Sequence, residues 1–179
     1  LDLITANFRS KNFIYENKGS FTFASPVALE SSDDPTMDLA IADLDADGDL
    51  DVLTAENGSV NKVFENDGAG VFSAAGSIVD QGAGSSENST QTYAVKISDI
   101  DGDGKPDGIF GNYNTPNTFY LSKTDTWSSV GSSAMQTTRI DLGDLDGDGD
   151  LDAVVGNYNK KNQVYRFNAS LSQKFVVED

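Results

Sequence analysis

Hydrophobic and polar positions along this chain come in short blocks that recur in a fixed order. Three segments alternate apolar and polar residues: Leu39-Ala40-Ile41-Ala42, Val95-Lys96-Ile97-Ser98 and Ile140-Asp141-Leu142-Gly143. A period of two predicts a strand with one buried face. After each comes an aspartate-rich stretch, and then a more continuous apolar run: Val52-Leu53-Thr54-Ala55, Gly108-Ile109-Phe110-Gly111 and Ala153-Val154-Val155-Gly156. Such a run predicts a strand covered on both faces. An Asn opens a third segment in each unit, at Asn61-Lys62-Val63-Phe64, Asn117-Thr118-Phe119-Tyr120 and Asn162-Gln163-Val164-Tyr165. A fourth, aromatic-bearing segment follows around Val71-Phe72, Trp127 and Phe175-Val176-Val177. No helical period is present, so the expected class is all-β.

A fourth, incomplete copy opens the chain. Leu1-Asp2-Leu3-Ile4-Thr5-Ala6-Asn7 matches Leu50-Asp51-Val52-Leu53-Thr54-Ala55-Glu56, and Asn12-Phe13-Ile14-Tyr15 stands in the same register as the third segments. Measured between equivalent aspartates, the repeat is 49, 56 and then 45 residues long. The variation falls in tracts rich in Gly, Ser, Asn and Asp, such as Ser31–Thr36 and Ser77–Thr90, which read as surface loops. Four strands per unit at a period of about 40–50 residues predict four-stranded antiparallel propeller blades. The expected blades are residues 1–36, lacking the first strand, then 37–91, 92–136 and 137–179, all within one domain. A chain holding under four such blades is expected to be a segment of a larger, about seven-bladed ring. A homo-oligomer that completes the ring, or a compact four-bladed variant, is the alternative.

The aspartate-rich stretches carry the chemistry. Asp43–Asp51, Asp99–Asp107 and Asp144–Asp152 each fit D-x-D-x-D-G-x-x-D. Calcium is a hard cation that takes six to eight oxygens at about 2.3–2.6 Å, and this spacing lets one short loop supply most of them. The side chains expected to ligate are those at positions 1, 3, 5 and 9: Asp43, Asp45, Asp47 and Asp51; Asp99, Asp101, Asp103 and Asp107; Asp144, Asp146, Asp148 and Asp152. Position 7, occupied by Asp49, Lys105 and Asp150, is expected to ligate through its backbone carbonyl, which is why a lysine is tolerable there. Gly48, Gly104 and Gly149 stand at position 6, where the chain must turn sharply. Asp2 is the ninth-position aspartate of a loop whose other positions are lacking apart from Leu1, so three full Ca²⁺ sites and one partial one are expected. Magnesium keeps more of its waters and takes fewer carboxylates. The strand–loop–strand context and the missing Glu at position 12 argue against an EF-hand.

Composition narrows the partners. The formal charge is −17, and fourteen of the 29 acidic residues lie inside the three loops. Even with divalent ions bound the chain stays acidic, which disfavours nucleic acid or an anionic membrane as a partner. No apolar run is long enough to span a bilayer. Cysteine and histidine are both absent, which removes disulfides, thiolate or imidazole metal sites and the commonest general base. No nucleophile elbow or phosphate-cradling glycine loop is present, so the chain is not expected to be an enzyme.

These residues resemble the FG-GAP/VCBS repeats of integrin-α-type β-propellers, over nearly the whole chain. The resemblance rests on the three aspartate loops, each leading into an apolar strand that ends near Gly111 or Gly156. It implies calcium in the loop joining the first and second strands, on one face of the disc. The family's Gly-Ala-Pro is replaced here by Gly111-Asn112-Tyr113, Gly156-Asn157-Tyr158, Ala55-Glu56-Asn57 and Ala6-Asn7-Phe8, so a ligand preference does not carry over. The loop after the second strand, implied to lie on the opposite face, holds a recurring polar–aromatic cluster: Asn7-Phe8-Arg9, Asn112-Tyr113-Asn114 and Asn157-Tyr158-Asn159. An aromatic ring flanked by amides can stack on and hydrogen-bond a sugar or a peptide, while Asn also simply favours turns. Asn57-Gly58-Ser59, Asn88-Ser89-Thr90 and Asn168-Ala169-Ser170 fit the N-glycosylation pattern.

The expected function is a calcium-stabilised binding or adhesion module, extracellular or at the cell surface, for a glycan or an extracellular protein. Its further partners are the remaining propeller blades or a second copy of the chain. The alternatives are a structural scaffold within a large surface protein and the non-catalytic part of a polysaccharide-degrading enzyme.

Overall fold

A computed structural model describes residues 2–78, 91–131, 134–168, 170 and 174–178. Three four-stranded antiparallel sheets follow one another along the chain, each a simple meander. The first contains β6 (Thr36–Ala42), β7 (Asp51–Glu56), β8 (Asn61–Asn66) and β9 (Phe72–Ile78), in that order across the sheet. The second contains β10 (Thr92–Ser98), β11 (Asp107–Asn112), β12 (Asn117–Leu121) and β13 (Thr126–Val130). The third contains β14 (Thr137–Gly143), β15 (Asp152–Asn157), β16 (Gln163–Phe167) and β17 (Phe175–Glu178). At the N-terminus β1 (Leu3–Thr5), β2 (Phe13–Tyr15) and β5 (Val27–Ala28) form a three-stranded sheet without a counterpart of β6. A small hairpin of β3 (Asn17–Gly19) and β4 (Thr22–Phe23), not anticipated from the sequence, interrupts it. The described residues contain no helix.

The four sheets pack face on face, so the hydrophobic core is divided among the interfaces between them. Leu29, Val52 and Phe64 bury with Ile4, Ile14 and Leu39 between the N-terminal sheet and the first four-stranded sheet. Leu53, Ala55, Val95 and Phe110 fill the next interface. The largest cluster joins the last two sheets and includes Ile109, Phe119, Val155, Tyr165 and Phe175. There Phe175 meets Phe119 edge-on at 4.9 Å and Phe167 at 5.3 Å. The second strands of the first two four-stranded sheets lie between two such layers, whereas β15 of the last sheet is covered on one side and leaves Val154 exposed. Every residue of β7 and β11 is buried, which explains their continuous apolar runs. Gly111 has no room for a side chain: a Cβ there would lie 2.6 Å from Thr137 Cγ2 and 3.0 Å from Ile140 Cδ1 in the next sheet.

Each first strand carries a β-bulge at the same place, between Thr36 and Asp38, Thr92 and Ala94, and Thr137 and Arg139. A bulge re-aims the side chains beside it, and here it accompanies a recurring buried polar network. Thr36 Oγ1 donates to Glu56 Oε1 at 3.0 Å, Thr92 Oγ1 to Asn112 Oδ1 at 3.1 Å and Thr137 Oγ1 to Asn157 Oδ1 at 2.8 Å. The Asn that opens each third segment accepts, through Oδ1, the backbone N–H of the residue five before it: Asn7, Glu56, Asn112 and Asn157 for Asn12, Asn61, Asn117 and Asn162. Its amide then reaches the next sheet. Asn12 Nδ2 donates to Thr36 Oγ1 at 2.8 Å, Asn61 Nδ2 to Thr92 Oγ1 at 3.2 Å, and Asn117 Nδ2 to the Tyr165 hydroxyl at 2.8 Å. The chain of bonds ties neighbouring blades together at buried positions, where unpaired polar groups are costly.

Candidate metal centres

The three aspartate loops join the first strand of a sheet to the second, and their geometry recurs. Gly48, Gly104 and Gly149 have φ of 99°, 88° and 98°, the left-handed conformation that position 6 requires. Position 4 is left-handed as well, with φ of 71° at Gly102, 81° at Gly147 and 65° at Ala46. Position 1 wraps the turn: Asp43 accepts the N–H groups of Asp47 and Gly48, both at 3.1 Å, and Asp99 those of Asp103 and Gly104, both at 2.8 Å. Asp144 accepts from Gly147 at 2.7 Å and Gly149 at 3.2 Å.

The carboxylates at positions 1, 3 and 9 converge. Each of the groups Asp43–Asp45–Asp51, Asp99–Asp101–Asp107 and Asp144–Asp146–Asp152 has carboxylate oxygens within 4.8 Å of one another. The carboxylates at position 5 lie outside these groups and instead accept the N–H of position 7, in Asp47 to Asp49 at 2.9 Å, Asp103 to Lys105 at 2.9 Å and Asp148 to Asp150 at 3.0 Å. An aspartate that bonds the backbone two residues on stabilises a tight turn. Position 3 makes the same kind of bond, Asp45 accepting from Asp47 and Asp146 from Asp148, so position 5 shapes the loop without leaving the donor set. Asp2 joins no such group among the described residues.

Position 9 does more than the spacing suggested. Asp107 is buried; its Oδ2 accepts Ile100 N–H at 3.0 Å, and its Oδ1 accepts Ser122 N–H at 2.8 Å and the Ser122 hydroxyl at 3.2 Å. Asp51 likewise accepts from Leu44 and Asn66, and Asp152 from Leu145 and Phe167. The second partner is always fifteen residues ahead, just past the third segment. Asp2 accepts from Asn17 at 2.8 Å over the same interval, which places it at position 9 by geometry as well as by sequence.

The donor set suits a hard cation. Asp101 Oδ1 is buried with no hydrogen-bond partner, and an unpaired carboxylate oxygen held out of water is costly unless something positive meets it. Burial raises the Asp107 carboxyl above the ordinary range, against the Ser122 and Ile100 bonds that lower it, with Asp101 adding to the rise. Desolvation, then Asp148 and Asp101, raises Asp150 in the same way. Leu151 N–H bonds Ile100 C=O at 3.1 Å, which places the loops of the last two sheets side by side. Arg166 Nη1 approaches Asp146 Oδ2 at 3.2 Å and partly offsets the charge of the third loop.

The polar–aromatic clusters lie at the other end of the second strands. Asn112 is fully buried, with its amide bonded to Pro116 C=O, and Asn7 and Asn157 bond the C=O of Lys11 and Lys161 in the same manner. These side chains brace the turn; Asn112 is closed to a ligand, while Asn7 and Asn157 are half-buried. Asn114 and Asn159 adopt φ of 67° and 54°, as do Arg9 at 57° and Gly58 at 90°, so their identity answers a left-handed turn position. The rings differ. Tyr113 stacks on Tyr93 at 5.0 Å, whereas Phe8 and Tyr158 are exposed, Phe8 with the Arg9 guanidinium 5.1 Å from its centroid. Asn57 Nδ2 lies 3.3 Å from the Tyr93 hydroxyl, and Asn168 Oδ1 accepts from Ser170. The Asn88-Ser89-Thr90 pattern lies outside the described residues.

Comparison with known proteins gives one family. The pattern described as the FG-GAP-like repeat matches residues 1–54, 43–109 and 99–155. None of the curated proteins matches the chain. Among solved structures, the crystal structure of BBS1N in complex with ARL6DN, soaked with lead, is similar, with a TM-score of 0.61 at 14% identity. The match covers 98% of this chain and 51% of that one, so this chain spans about half the length of that relative. Likeness at this identity concerns the fold, a β-propeller.

Proposed function

The chain belongs to the FG-GAP-like repeat family, and from that premise we propose that it is a calcium-stabilised binding or adhesion module, extracellular or at the cell surface, for a glycan or another extracellular protein. The repeats and the fold make it a binding or structural propeller module. The finer reading rests on one observation above the others. Three loops bring the same three carboxylates together, and in one of them a buried oxygen, Asp101 Oδ1, has no donor.

Positions 1, 3, 5 and 9 of each loop would hold the ion, joined by the position-7 carbonyls of Asp49, Lys105 and Asp150. The ion supplies positive charge among carboxylates that otherwise repel one another. Its role in this reading is architectural, because the same position-9 aspartates bracket the first and third strands of their blade. The exposed rings of Phe8 and Tyr158 are the contact residues of the turn face in this reading, with the exposed Asn159 amide beside Tyr158. FG-GAP repeats and propeller folds are typical of non-enzymatic modules, and the reading assigns no catalytic role.

Chelation tests the calcium. Metal bound only by the folded state stabilises it by about 2.7 kcal/mol at a hundredfold excess over Kd. EDTA should lower the Tm markedly and Ca²⁺ should restore it more effectively than Mg²⁺. An unchanged melt would overturn the calcium reading. Binding to a glycan array or to extracellular matrix proteins that is lost in Phe8→Ala/Tyr158→Ala would support the turn face as the contact surface.

A further inference from the structure

We propose that the cleft between the second and third blades, at the aspartate-loop end, receives a lysine or arginine side chain of a protein partner. The proposal rests on the reading of the chain as a binding module and moves the contact away from the turn face. The cleft has a volume of about 460 Å³, within the range of small-ligand sites and ample for one long side chain. One wall is aromatic and comes from three successive strands. Phe110 on β11 and Tyr120 on β12 both pack against Trp127 on β13, with centroids 5.1 and 5.2 Å from the indole and interplanar angles of 39° and 40°. Leu53 and Val63 of the preceding blade form the facing wall.

The charge around this apolar slot has one sign. Four of its lining residues are acidic and none is Lys or Arg. Asp45 and Asp107 belong to the metal loops, which leaves Glu65 on β8 and Asp125 in the β12–β13 turn to meet a ligand. Asp125 is positioned for this: its Oδ1 accepts the Tyr120 hydroxyl at 3.1 Å, which ties the carboxylate to the aromatic wall. A cation over an aromatic face gains from the ring quadrupole, more so when partly desolvated. Carboxylates at the rim complete its hydrogen bonds. A lysine or arginine offers the matching parts, an apolar stem for the slot and a charged head for the rim. The polarity of the site disfavours an anionic ligand outright.

Trp127 is the only tryptophan in the chain, so intrinsic fluorescence reports on the cleft directly. The probes are Nα-acetyl-lysine methylamide and Nα-acetyl-arginine methylamide, titrated into the protein in Ca²⁺-containing buffer. The controls are the Nζ-acetylated lysine amide, choline and neutral monosaccharides. A saturable change is expected with the two cationic amides, about tenfold weaker with the Nζ-acetylated form. Asp125→Asn and Glu65→Gln should each weaken binding several-fold while the Ca²⁺-dependent melt stays as in the parent. Equal response to the acetylated amide, no saturable response at all, or response only to monosaccharides overturns the proposal. Tighter binding of choline than of either amide also overturns it, because the occupant is then a small quaternary ammonium. Each of these outcomes leaves the EDTA melt shift, and with it the proposed calcium-dependent module, standing on its own result.

Discussion

Asp107→Ala separates the two roles that the structure gives to the ninth position of the loop. The carboxylate accepts three hydrogen bonds, from Ile100 N–H, Ser122 N–H and the Ser122 hydroxyl, and the residue is 1% exposed. Hydrogen bonds to a charged acceptor contribute about 1.5–3 kcal/mol each, and removal of the acceptor strands the buried donors at about 1–3 kcal/mol each. The Ser122 hydroxyl can rotate to another partner, and truncation also relieves the desolvation that raises the Asp107 pKa. A net loss of about 3–5 kcal/mol remains, the size seen when one partner of a buried charged network is removed. For a chain of this length that is a fall in Tm of about 6–20 °C. The assay is a denaturant or thermal melt of parent and variant, each with EDTA and with Ca²⁺. In EDTA the full loss should already be present, because the bonds to Ile100 and Ser122 need no metal. In Ca²⁺ the gap should widen as one site is lost. Asp2→Ala is the control: it removes the equivalent bond, to Asn17, at an exposed position, and should cost less than about 1 kcal/mol. A loss with Asp107→Ala that appears in Ca²⁺ alone would refute the structural role of position 9.

Other outcomes follow from particular residues. Ala46 holds φ of 65° where the other two loops have glycine, so Ala46→Gly should raise stability by about 0.5–1 kcal/mol in a melt, the left-handed penalty less the entropy that glycine adds to the unfolded chain. Burial raises the Glu56 carboxyl above its ordinary 4.5, against the hydrogen bond from Thr36 that lowers it; a raised folded-state pKa contributes stability below the unfolded value and loses it as pH rises through the folded value. Glu56→Gln should therefore be more stable than the parent at neutral pH, with the difference shrinking as the pH falls through the raised folded-state value towards 4.5. Asp34 has the opposite sign: its hydrogen bond to Lys62, which also pairs with Glu30, lowers its pKa below 3.8, so its contribution is held above that pH and lost on further acidification. Tyr113→Ala should cost about 0.5–1.5 kcal/mol beyond its buried area through the lost stacking on Tyr93, whereas Tyr158→Ala at an exposed ring should change the melt by less than about 0.5 kcal/mol.

The sequence displays the strands and loops because both depend on local patterns. Alternation marked β6, β10 and β14; continuous apolar runs marked β7 and β11, which are buried on both faces. The glycines at position 6 stood out because only glycine takes that φ without strain. What stayed hidden depends on where side chains point. Spacing does not reveal that Asp47, Asp103 and Asp148 also accept the N–H of position 7. The bulges beside Thr36, Thr92 and Thr137 add a residue whose effect on aim no period reveals. Asn112 suggested a ligand-binding surface because exposed amides do that work, but it is buried and braces its own turn. One clue was available: an Asn opens the third segment in all four copies, and its place five residues after the braced position is the register of the inter-blade network.

Counting the bound metal tests the central claim most directly. Equilibrium dialysis of the EDTA-stripped chain against Ca²⁺, with the bound ion measured per chain, should give three ions for the parent. Asp101→Asn, at the loop whose buried oxygen lacks a partner, should give two with the fold retained by circular dichroism. Uptake of no Ca²⁺ by a folded chain, or an unchanged count in Asp101→Asn, would contradict the account.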